Sequence, residues 1–125
     1  MVRDLDCVRH MLLKIEENVS PSSRFTSNDL ICEEYDGETI AYHLRLLLDK
    51  GYVDVRELNF LGQDYPSYII HRITMQGHDF LDNIRNDNVW SSTKEEVQKS
   101  GFKTVAINVI SEIASKYTKK MFNLE

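Results

Sequence analysis

Thr39-Ile40-Ala41-Tyr42-His43-Leu44-Arg45-Leu46-Leu47-Leu48-Asp49-Lys50-Gly51-Tyr52-Val53 is the stretch that decides the fold. Ile40, Leu44, Leu47 and Leu48 repeat at the helical period on one side, and Glu38, Tyr42, Arg45 and Asp49 fall on the other. Gly51 supplies the stop, because glycine accepts the left-handed conformation that closes a helix. A strand with β-branched content follows at once over residues 52–58. Residues 59–66 hold Gly62 and Pro66 and read as a turn region, and residues 67–73 (Ser-Tyr-Ile-Ile-His-Arg-Ile) read as the returning strand.

An amphipathic helix that ends in glycine and runs into a β-hairpin is how the third helix of a winged helix-turn-helix meets its wing. The predicted class is therefore α+β, winged helix-turn-helix-like, with two additional C-terminal helices. Leu5, Val8, Leu12 and Ile15 predict a first helix over residues 4–18, and Asp4 and Asp6 suit the positive end of its dipole. Ser20-Pro21-Ser22-Ser23 breaks it. Residues 24–32 fit either a short strand or, through Ser27-Asn28-Asp29, a capped short helix; the strand is favoured. Thr74 caps a further helix with Phe80, Leu81 and Ile84 inward, and Gly77 allows a neighbour to approach closely. Asn86-Asp87-Asn88 is read as its end. Ser92-Thr93-Lys94-Glu95 has the form of a capping box opening a helix to about Ser100, and Gly101 separates that from a last helix over residues 102–121. The expected organisation is a winged-helix-like domain over residues 1–90 and a C-terminal helical extension over residues 91–125, together one compact unit.

At 125 residues the chain is long enough for one hydrophobic core. Its 42% hydrophobic and 28% charged content is that of a globular domain. No apolar run approaches membrane-spanning length and the N-terminus is too polar for a signal peptide, so no membrane association and a cytoplasmic location are expected. Cys7 and Cys32 make no disulfide framework, which fits a reducing compartment. The net charge of −5 is unevenly spread: residues 1–90 hold nine Lys/Arg and sixteen Asp/Glu, whereas residues 91–125 hold six and four. An acidic body is not drawn to a polyanion over long range, so any DNA contact needs a local patch or the basic tail.

If the outer face of the 36–50 helix entered the major groove, Arg45 would reach a base edge and Tyr42 a phosphate. Arg56 and Arg72 on the wing complete the candidate nucleic-acid-binding set. Glu33, Glu34, Asp36 and Glu38 crowd the N-terminal end that would approach the bases. They are read first as a solvated cluster stabilising the helix start through its dipole. Tyr42 and Leu46, four residues apart, would equally suit a protein contact unless Leu46 packs under the wing. Phe102, Val105, Ala106, Ile107, Val109, Ile110, Ile113, Ala114, Tyr117 and Met121 make the last helix apolar on more than one side, with Val105, Val109, Ile110, Ile113 and Tyr117 as the candidate interface residues. They mark it either as buried within the fold or, the favoured reading, as a homodimer interface. The histidines and cysteines lack the spacing of a metal site, and no phosphate loop, nucleophile elbow or paired-carboxylate motif occurs. No cofactor, no metal and no enzymatic activity are expected.

With these residues placed, the chain resembles an uncharacterised bacterial and prophage family, the domain of unknown function numbered twenty-five-thirteen. The resemblance covers most of the chain. It rests on Met1-Val2-Arg3-Asp4-Leu5-Asp6, Ile15-Glu16-Glu17, Ile40-Ala41-Tyr42-His43-Leu44, Leu47-Leu48 and Gly51. Its most specific part is Ile73-Thr74-Met75-Gln76-Gly77-His78-Asp79-Phe80-Leu81-Asp82 with Ile84-Arg85, Trp90 and Lys94. It implies a winged-helix-like fold and a phage or mobile-element setting, and it brings no known catalytic or binding residues. The expected function is a small winged-helix regulator of phage type that binds double-stranded DNA or acts in transcription. The alternative keeps the scaffold, drops the DNA and uses the acidic face to bind a host or phage protein.

Overall fold

Asp4 opens the first helix of the computed structural model, which describes residues 1–102 and 104–123. Its carboxylate accepts from the backbone N–H groups of Asp6 (2.9 Å) and Cys7 (3.2 Å), satisfying two donors that a helix start leaves without partners. The helix, α1 (Leu5–Asn18), buries Cys7, Val8, Met11, Leu12 and Ile15 on one face. The second helix, α2 (Gly37–Lys50), is capped by Asp36, which accepts from Thr39 N at 2.9 Å. It ends at Gly51 in the left-handed conformation, φ 77°. Strands β1 (Val53–Leu58) and β2 (Ser67–Ile73) then pair antiparallel as a hairpin. With helices α3 (Met75–Ile84), α4 (Asp87–Lys99) and α5 (Ile107–Met121), the described residues make a mixed α+β arrangement of five α-helices and one two-stranded sheet.

Three local expectations change. Residues 24–32 do not form a strand; Ser27–Leu30 is a 3-10 turn. The Asp29 carboxylate accepts from Thr26 N at 2.9 Å, and this local bond outcompetes ladder pairing, leaving Thr26 one isolated bridge to Ile69. Asn86 does not end α3 in a loop but caps α4, accepting from Asn88 N and Val89 N. The Ser92–Glu95 pattern therefore lies inside a helix, where Thr93 is buried and its hydroxyl donates to Val89 O at 2.7 Å. Finally, α5 begins at Ile107, not at Phe102. Gly101 (φ 83°) turns the chain, and the backbone at Ala106 is still extended. Phe102 and Val105 thus precede the helix, and Lys103 lies outside the described residues.

Two compact units divide the chain at α3, Met1–His78 and Asp79–Glu125. In the first, Met11, Leu12, Ile15, Leu30, Ile40, Leu44, Leu47, Tyr68 and Ile70 are all at most 1% exposed and form a continuous core. His43 is buried among them and fully bonded. Its Nε2 accepts from Asp4 N and its Nδ1 meets Thr39 O, both at 2.8 Å. Because the Asp4 contact requires an acceptor, Nδ1 carries the proton and donates. One side chain of α2 thereby holds the capping residue of α1. The start of α3 is fixed as tightly: Thr74 Oγ1 donates to Gly51 O and accepts from Gly77 N, while Thr74 N donates to Tyr52 O. In the second unit Lys116 Nζ (2.7 Å) and Tyr117 Oη (3.0 Å) both donate to one oxygen of Glu96, joining α5 to α4. Among the described residues no helix is long and apolar enough to cross a membrane.

Candidate recognition face

The four residues expected to meet DNA do not share a surface. Successive residues of a strand point to opposite faces, so Asp54 and Arg56 lie on one side of β1 and Glu57 on the other. Arg45 belongs with Glu57: its guanidinium lies 3.8 Å from that carboxylate and 3.3 Å from Asp49 one helical turn on. Glu57 also accepts from the Tyr68 hydroxyl at 2.9 Å. Burial first, and this bond second, push the Tyr68 phenol up to about 12. Arg72 stands opposite Asp54 on β2, 3.5 Å from its carboxylate, and so shares the Arg56 side. Tyr42, 38% exposed, sits edge-on against the His43 ring. Arg45 and Arg72 each face at least one carboxylate, and the set divides between two faces of the hairpin.

The beginning of α2 is covered. A Cβ built at Gly37 would collide with the Tyr65 hydroxyl and lie 2.9 Å from the ring carbon that bears it, so the hairpin loop folds back onto the first turn of the helix. Tyr65 is 37% exposed, so a side chain at residue 37 would be met by rotation of that phenol and not by a backbone clash. Around this contact Glu33, Glu34, Asp36 and Glu38 are all exposed. The backbone N–H of Thr39 holds the Asp36 carboxyl below its ordinary range. The Cys32 thiol, as hydrogen-bond donor, does the same for Glu34. Residues 1–78 contain eight Lys/Arg against thirteen Asp/Glu, so the face lies on an acidic unit. Beyond it the hairpin tip projects apolar side chains, Phe60 at 55% and Leu61 at full exposure.

Behind the acidic loop, Cys32 Sγ lies 3.8 Å from His10 Nε2, and the His10 and Tyr35 rings are 5.5 Å apart. Cys7 is buried, and desolvation pushes its thiol up to about 12, so it stays protonated at neutral pH. Among the described residues no group of three or more His, Cys, Asp or Glu is arranged to hold a metal ion.

The five residues assigned to a dimer interface separate likewise. Ile110 is buried within its own unit, and Val105 precedes α5. Val109, 39% exposed, and the half-buried Ile113 and Tyr117 follow at four-residue spacing, the Tyr117 hydroxyl being bonded to Glu96 on α4. The Tyr65–Gly37 contact and the Glu57 brace on Arg45 are features that sequence reasoning missed. Neither leaves a local trace in the sequence, because each joins residues on different elements.

Comparison with known proteins places this arrangement among uncharacterised relatives. The family described as "Hypothetical protein (DUF2513)" matches residues 2–103. A protein of Haemophilus influenzae, named only "Uncharacterized protein", is 31% identical over 121 residues, covering 97% of this chain and 98% of its own length. No solved structure matches.

Proposed function

The chain belongs to the DUF2513 family of hypothetical proteins, and from that premise we propose that it is a protein-binding module on a winged-helix-like scaffold. Its recognition face is the acidic start of α2 together with the apolar hairpin tip. The observation that carries this reading is the Tyr65 ring seated on Gly37. A helix enters the major groove by its N-terminal residues, and here that end is occupied by the hairpin's own loop and ringed by carboxylates. Docking on DNA would set those carboxylates against phosphates, which is repulsive and removes their hydration. A basic protein surface gains from the same groups, and Phe60 and Leu61 offer apolar anchors of the kind that dominate interface energy.

The test is capture from the host cytosol on the immobilised chain, followed by identification of what binds. The proposal expects one defined, basic partner that is retained by wild type and released by moderate salt. A Glu33→Lys, Glu34→Lys, Glu38→Lys variant and a Phe60→Ser, Leu61→Ser variant should each lose it. A partner held equally by all three proteins would refute this use of the face.

A second reading, a phage-type DNA-binding regulator, is supported by the element order. A first helix, a short helical turn, a longer helix and a hairpin follow one another as in winged-helix domains. Under that reading Arg56 and Arg72, on one side of the hairpin, make the backbone contacts, and an Arg56→Glu, Arg72→Glu change abolishes duplex binding. For the second unit we propose pairing of two copies through Val109, Ile113 and Tyr117 on α5. Light scattering should then give twice the 14.6 kDa chain mass, and a monomer would exclude it.

A further inference from the structure

We propose that the cavity beside the C-terminal end of α1 binds a small monocarboxylate with an apolar body. The cavity, about 360 Å³ and open to solvent on one side, is lined by the end of α1, the Ser20–Ser23 turn, the last residues of β2 and His78. That volume is within the range of small-ligand pockets. An irregularity in the hairpin builds its polar wall. Asp54 faces Arg72 and Val55 faces Ile70, so His71 is the extra residue of a β-bulge. A regular strand would send His71 and Arg72 to opposite faces. With the bulge, both are exposed between the buried Ile70 and Ile73, and both line the cavity.

The donors on that wall outnumber the acceptors. Among the described residues Arg72 is paired with Asp54 alone, at 3.5 Å, and both side chains are more than half exposed; such a pair contributes little and yields easily to a ligand. Its planar guanidinium suits a carboxylate because it can donate two parallel hydrogen bonds. Among the described residues His71 makes no hydrogen bond or ion pair, so its ring is available to the ligand. One carboxylate, Glu16, lines the cavity, and it faces His78 Nδ1 at 3.7 Å. The apolar lining comes from Ile15, Val19 and Pro21 on the α1 side, where Ser20 and Ser23 also line the cavity, and from Ile73 on β2. The end of α1 directs the negative pole of its dipole toward this side, which keeps an anionic group off the helix wall. The carboxylate therefore sits against Arg72 and His71, and the apolar body against α1. An inorganic anion would gain nothing from the apolar wall.

The test is a titration of the full chain followed by NMR, reading the His71 and His78 imidazole and the Ile15 and Ile73 methyl signals. Hexanoate, 1-hexanol and inorganic phosphate are the probes. The proposal expects saturable shifts with hexanoate at all four residues, and binding at least tenfold weaker for hexanol and for phosphate. Arg72→Gln, at an exposed position, should weaken hexanoate about tenfold, the loss of one charge-assisted pair. Asp54→Asn, which frees the guanidinium, should tighten it. Non-saturable shifts, equal binding of phosphate, or an Arg72→Gln protein that is folded by circular dichroism and binds hexanoate like wild type would each overturn the proposal.

Discussion

Replacing Gly77 with alanine reverses the effect expected of that change in a helix. Glycine to alanine in a helix interior ordinarily stabilises by about 1 kcal/mol. Here the added Cβ would overlap the carbonyl oxygen of Tyr52 and lie 2.6 Å from Ile73 Cγ2. The carbonyl cannot retreat. Tyr52 N is bonded to Leu47 O at 2.9 Å, and Tyr52 O itself accepts from Thr74 N at 3.0 Å. Relief requires α3 to move outward, which breaks the Thr74 contacts to Tyr52 O and Gly51 O. Two such bonds contribute about 1 kcal/mol each, and forced displacement of a packed element costs a further 1–3 kcal/mol. After subtracting the propensity gain, Gly77→Ala should destabilise by about 2–4 kcal/mol. Thermal melting followed by circular dichroism should show a midpoint roughly 6–16 °C lower. Gly62, with nothing within 4 Å of a built Cβ, is the control: alanine there meets only the strain of φ 84°. A Gly77→Ala protein as stable as wild type would refute the close approach between α3 and the start of β1.

Three further outcomes follow. His43→Leu removes a buried ring that bonds Asp4 N–H and Thr39 O; it leaves the Asp4 N–H without its acceptor, while Thr39 O keeps its helical bond from His43 N, and urea unfolding should show a loss of about 1–3 kcal/mol. On the acid side, Asp36 and Glu96 have folded pKa values held below the carboxylate norm, by the Thr39 backbone N–H and the Lys116 ammonium respectively. Their stabilisation is complete above the unfolded carboxylate pKa and is lost as pH falls through the lowered folded values, so the midpoint should drop in acid and drop less in Asp36→Asn. On the alkaline side, Tyr68 is raised from 10.0 to about 12 by burial and by Glu57, so its contribution is intact below pH 10 and is lost by about 12; Tyr68→Phe should flatten that limb of the stability profile.

Much of the fold was legible because its signals are local. The apolar spacing in α1 and α2, Gly51 as a stop, and the β-branched runs of the hairpin each act over a few residues, and the observed bounds of β2 equal those read from sequence. The failures are competitions between local signals. Asn86 and Ser92 both resemble caps, and the chain used the first because Thr93 is buried on the helix face. The site was less legible because its decisive contacts are long-range. Nothing near Arg45 in sequence announces Glu57, nothing near Gly37 announces Tyr65, and the bulge at His71 leaves no mark in the pattern of β2. The cluster of Glu33, Glu34, Asp36 and Glu38 was the part of the face that the sequence placed directly, because its residues are neighbours in the chain.

The central claim is that this face is built for protein and not for the DNA backbone. The most direct measurement is fluorescence anisotropy of a labelled mixed-sequence duplex titrated with the full chain at low and at physiological salt. Neutralising phosphates releases counterions, so genuine backbone binding strengthens steeply as salt is lowered. The account predicts no saturable binding even at low salt. Saturable binding with a steep negative salt dependence, abolished by Arg56→Glu with Arg72→Glu, would contradict it.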